Sequence, residues 1–179
     1  MNSGSAEPTQ LRYVYCRAWN PARWRPGSEI SETEARRRFA SDNEDDWFSV
    51  VAYRADDPDQ EIPTFVLELM PHATTIRAKF YEPTRSQRGE YVFDQIDGRM
   101  FFYYAMRWFY PEDGRQYRLD QSVLLESFHF YPDGIAKRTI DDSSDPQIHT
   151  VSYRGIDMSD HWEEVPEFGD WARFGREQR

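Results

Sequence analysis

The amino-acid sequence predicts a mainly β fold: an antiparallel meander forming a strongly curved sheet or barrel, with one short N-terminal helix. Three observations predict it. Runs rich in aromatic and branched residues fill Gly89–Ile140. Asp97-Gly98, Asp113-Gly114 and Asp133-Gly134 divide those runs, and glycine readily takes the positive φ that tight hairpin turns require. A capping box, Ser31-Glu32-Thr33-Glu34, marks the helix.

In chain order, residues 1–10 (MNSGSAEPTQ) read as a disordered lead-in, and residues 11–179 as one β-rich domain. Leu11–Ala18 alternates as a first strand, with Tyr13 and Tyr15 on one face and Val14 and Cys16 on the other. Pro21 and Pro26 interrupt Trp19–Gly27, which is expected to be irregular. Trp24 in that loop is either a binding anchor or, with Trp19, a plug for one end of the core. The helix is expected to run to about Ser41, braced by Glu32–Arg36 and Glu34–Arg38 at i,i+4. Asp42–Asp46 ends it as a solvated acidic loop without the ligand spacing of a calcium-binding EF-hand.

Trp47–Ala55, Thr64–Met70 and Thr74–Tyr81 follow as strands, the first two separated by the polar turn Asp56–Glu61. The meander strands are Tyr91–Ile96, Met100–Tyr110, Gln116–Phe130 and Ile135–Asp141. Met100–Tyr110 is apolar on both faces, which predicts a central strand covered on both sides. After the acidic turn Asp141–Asp145, Ile148–Arg154 reads as a last strand. The tail (GIDMSDHWEEVPEFGDWARFGREQR) is expected to run extended outside the sheet, burying its aromatics against the body with its carboxylates outward.

A formal net charge of −10 argues against a general nucleic-acid binder or a protein held on anionic lipid, and suits a basic partner. The single cysteine, Cys16, allows no internal disulfide, so a reducing cytoplasm fits. No apolar run approaches the ~20 residues of a membrane span. The four histidines lack zinc-site spacing, and no phosphate-binding glycine loop or nucleophile elbow is present, so neither a metal nor a cofactor is implied.

Two classes of function remain. The first is a non-catalytic, acidic protein-binding domain. In general character, without any diagnostic motif, such a chain resembles the immunity proteins or antitoxins that neutralise bacterial toxins. Its contact residues would be Trp24, Asp45, Asp46, Asp141, Asp142, Trp162, Glu163 and Glu164: aromatic anchors among carboxylates that steer a basic partner. The second is a lipocalin-like barrel, binding or converting a small molecule in a pocket lined by Tyr104, Arg107, Trp108, Tyr117, Glu126 and His129. In that barrel, Glu68 and Glu126 would be the inward carboxylates available for acid–base work.

Overall fold

The computed structural model describes residues 10–178; the expected disordered lead-in therefore lies, apart from Gln10, outside the described residues. Among the described residues eleven strands make one antiparallel sheet, accompanied by a single α-helix. In chain order they are β1 (Leu11–Asn20), β2 (Arg25–Glu29), α1 (Glu32–Phe39), β3 (Phe48–Arg54), β4 (Phe65–Leu69), β5 (Thr75–Tyr81) and β6 (Gln87–Ile96). β7 (Arg99–Phe109), β8 (Leu124–Tyr131), β9 (Ile135–Asp142), β10 (His149–Arg154) and β11 (Trp162–Glu164) complete it. Across the sheet the order is β10-β9-β8-β7-β6-β5-β4-β3-β1-β2, with β11 added beside β7. The sheet is curved but not closed, so of the two architectures expected from sequence the open one is found.

Local chemistry accounts for the punctuation. Asp97 (φ 49°) and Gly98 (φ 77°) both take the positive φ of a type I′ turn, the tightest link between β6 and β7. The Ser31 hydroxyl accepts from the Glu34 amide at 3.1 Å and starts α1. Glu34 does not reach back as a capping box would; its carboxylate instead binds Arg37 and Arg38, each at 2.8 Å. β2 forms despite Pro26 because it is an edge strand, where a missing N–H costs no ladder bond. The expected strand from Gln116 begins only at Leu124, since Pro111–Val123 is a loop holding a short 3-10 turn at Leu119–Gln121.

One face of the sheet, here the inner face, holds the main core. Phe48, Val50, Phe65, Leu67, Leu69, Ile76, Ala78, Phe93 and Met100 are fully buried there. The C-terminal segment covers them. Trp171 and Phe174 are 0 % exposed; Phe174 meets Phe93 edge-on at 5.1 Å, and Phe168 stacks on Tyr15 at 5.4 Å. A Cβ on Gly175 would collide with the Phe65 ring, so the chain passes there only as glycine.

The tail also enters the sheet, contrary to the extended non-sheet course expected from sequence. β8 pairs with β7 only from Tyr104 onward, leaving the edge of Arg99–Phe101 open, and β11 takes it. His161 sits in the fork, its Nδ1 2.9 Å from the Phe102 carbonyl and its ring 4.3 Å from Phe130.

β7 is central, as its composition predicts, but its faces differ from simple alternation. Val92 pairs with Tyr104 while Phe93 pairs with Phe102, so Tyr103 has no opposite residue: a β-bulge. The bulge exchanges the two faces midway. Met100 and Phe102 point inward before it, and Ala105, Arg107 and Phe109 after it. Trp108 is 7 % exposed and Trp171 0 %. Trp108→Ala and Trp171→Ala are each expected to cost about 3–5 kcal/mol, the range for truncating a large buried aromatic. A denaturant titration checks this; a loss under about 1 kcal/mol for Trp171 would mean that the tail does not hold the core together.

Candidate binding surface

Cross-strand register carries the inner face from core to solvent. Ala105 lies opposite Phe128, Phe128 opposite Arg138, and Arg138 opposite Val151. In the same way Phe130 is followed by Ala136 and Tyr153. These residues therefore share the face that the tail covers over β1–β6. Over β8 and β9 Met158 and His161 cover its Phe130–Ala136 end, but farther along it is open: Phe109 is 43 % exposed, Val151 48 % and Tyr153 42 %. The opposite face of the same strands carries Ser127, Lys137, Thr139, Thr150 and Ser152 together with Leu125, His129, Tyr131 and Ile135.

β10 forms one edge of the sheet and leaves a row of backbone N–H and C=O groups unpaired. The other edge, β2, is blunted by Pro26 and Gly27; β10 (HTVSYR) contains no Pro, Gly or Lys, and all six of its residues are exposed.

Charge around this surface is uneven. On the inner face Arg138 bonds Glu126, while the side chain of Arg107, directly opposite Glu126, makes no hydrogen bond or ion pair among the described residues. Carboxylates rim the surface where β9 turns into β10. Asp142 lies opposite Leu124, which lies opposite Phe109, and Asp141 is exposed beside it. Glu112 and Phe109 line one shallow depression at the same end.

The predicted contact residues do not form one patch. Trp24 packs edge-on against Trp19 at 5.7 Å and Tyr81 at 5.1 Å, as part of a satellite core on the outer face. Asp46 is held by Arg37 and by the Ser41 hydroxyl at 2.7 Å, and both lower its pKa. Asp45 is exposed and, with Glu44, Trp47, Glu68 and Arg77, lines a separate open groove of about 520 Å³. Trp162 lies on Phe101 at 4.6 Å, while Glu163 and Glu164 approach Arg173 and Arg99, each at 3.8 Å. Only Asp141 and Asp142 adjoin the uncovered apolar face.

The pocket expected inside a barrel is divided between the two faces of the sheet by ordinary strand alternation. Tyr104 and His129 sit opposite each other on the outer face; Arg107 and Glu126 sit on the inner one. Trp108 is buried, and Tyr117 belongs to the β7–β8 loop, where its hydroxyl donates to Asp113 at 2.6 Å. Glu68, the other carboxylate considered for catalysis, pairs with Lys79 at 2.5 Å. Burial pushes the Cys16 thiol up to about 11, which leaves it protonated and a poor nucleophile. Among the described residues no group of three or more His, Cys, Asp or Glu side chains is arranged to hold a metal, and no helix is long and apolar enough to cross a membrane.

Sequence reading missed the surface formed by Phe109, Phe128, Val151 and Tyr153. The signal was present in the alternation of His149–Arg154, but only its place at the sheet edge shows that nothing lies beyond it. Neither protein-family models nor curated proteins nor solved structures give a match to this chain.

Burial, with Lys137 opposite, lowers the His129 pKa below its usual 6.5. The unfolded chain then binds the proton more readily. His129 therefore contributes stability that is full above pH 6.5 and is lost as pH falls through the lowered value. His129→Phe is expected to flatten the fall in stability between about pH 7 and pH 5, read from denaturant midpoints. Parallel profiles for the variant and the wild type would show that His129 is not the group responsible.

Proposed function

We propose that this chain is a non-catalytic binding protein that captures another protein, a basic partner being the class its rim favours, on the uncovered part of its inner face, in the manner of an immunity protein or antitoxin acting in the cytoplasm. The observation that carries the reading is the apolar surface of β7–β10. Phe109, Val151 and Tyr153 stand 42–48 % exposed on a face whose other half is core. An exposed apolar patch rimmed by polar groups is the ordinary mark of a protein interface. The free edge of β10 adds backbone hydrogen bonds for an extended partner segment. Asp141, Asp142 and Glu112 supply the acidic rim, which steers a basic partner toward the patch. The arrangement gives no support to the lipocalin-like alternative, because the sheet is open and its hollow is filled over β1–β6 by the tail.

The test combines capture with kinetics. Val151→Asp together with Tyr153→Ser is expected to abolish capture of a host protein, while shifting stability by less than about 1 kcal/mol because both residues are exposed. Asp141→Asn with Glu112→Gln is expected to slow association more than it speeds dissociation, and the wild-type association rate is expected to fall as salt rises. Undiminished capture by the Val151/Tyr153 variant would remove this face from the binding surface.

A further inference from the structure

We infer a second binding site on the inner face, a crevice around Arg107 that takes a small amphipathic carboxylate: one acid group on an apolar body. Two depressions, of about 240 and 100 Å³, adjoin there and share Tyr91 and Arg107 in their linings. Phe80, Phe102, Phe128 and Phe130 supply the rest of an aromatic floor. A site of this size lies at or below the small end of ordinary ligand pockets, which run to about 300–1,000 Å³, so the apolar body is small.

Arg107 sets the charge of the ligand. Its natural cross-strand partner is Glu126, directly opposite, yet Glu126 bonds Arg138 on its other side. Arg88, the other cation lining the crevice, is held by Glu177 at 2.5 Å. Among the described residues Arg107 alone of the lining cations has no carboxylate, and its planar fork matches a carboxylate in two parallel hydrogen bonds. Glu82 and Glu177 border the same crevice. They oppose a multiply charged anion such as a phosphate, whereas a single negative charge meets a single free guanidinium. The aromatic rings beside Arg107 take the apolar body of the ligand.

The site shares the open face with the protein-docking surface but requires no partner protein, so the two readings fail separately. The experiment titrates 3-phenylpropionate, and separately its amide, into the full chain by heteronuclear NMR. Saturable binding of the acid, with shifts centred on Arg107, Tyr91 and Phe128, is expected. The amide should bind at least tenfold more weakly, and Arg107→Gln should weaken the acid by about tenfold or more, as for loss of a charged hydrogen bond. Arg107 is exposed, so the variant is expected to keep the wild-type amide spectrum elsewhere. Equal binding of acid and amide, unchanged affinity in Arg107→Gln, or no saturation at millimolar acid would each overturn the assignment.

Discussion

The structure depends on one packing event: the C-terminal segment laying Phe168, Trp171 and Phe174 into the hollow of the sheet. Without it, the inner residues of β1–β6 would form an uncovered apolar sheet face, which has no independent stability in water. The fit is close. Phe65 leaves no room for a Cβ at position 175, the Tyr91 hydroxyl donates to the Glu177 carbonyl at 2.6 Å, and Arg88 holds the Glu177 carboxylate. Helix α1 contributes Ala35 and Phe39 to the same layer, with Phe39 edge-on to Trp171 at 5.6 Å. Core formation therefore joins strands near the start of the chain to residues near its end.

The same event determines what is left uncovered. Residues 168–177 reach Tyr91 and Arg88 on β6, and Met158 and His161 reach only Phe130 and Ala136, while the inner face of the sheet continues beyond them to β10. The bulge at Tyr103 matters here. By exchanging the faces of β7 it turns Arg107 and Phe109, instead of Trp108, toward the hollow, and keeps Trp108 buried. A strand that reads as uniformly apolar thus serves two surroundings, a closed core at one end and an open surface at the other. The fork between β7 and β8, filled by His161 and β11, belongs to the same solution, because strands that diverge must have their separated edges satisfied.

Much of this was legible in the sequence, and the failures have identifiable causes. Alternation and Asp-Gly turns located β3 to β7 and β9 to within a few residues, since hairpin chemistry is local. β2 was lost because proline signals irregularity unless the strand lies at an edge, and edge position is a property of the whole sheet. The late start of β8 was hidden because Gln116–Val123 alternates well enough to pass for strand. The pocket of Tyr104, Arg107, Trp108, Glu126 and His129 rests on a closed barrel, and strand alternation alone places Arg107 on the opposite face of the sheet from Tyr104 and Trp108, and Glu126 on the opposite face from His129. The acidic loops were visible, but which carboxylates are already engaged, such as Asp46 by Arg37, depends on the folded arrangement.

Hydrogen exchange on the chain alone, and again on the chain bound to a protein captured from its host, tests the division of the inner face most directly. The expected result is strong protection of β1–β6 amides in both states, with new protection on binding confined to β8–β10 and greatest along His149–Arg154. New protection at Glu44–Trp47, or around Trp24, with β10 still exchanging freely, would contradict it and move the interface to another face of the molecule.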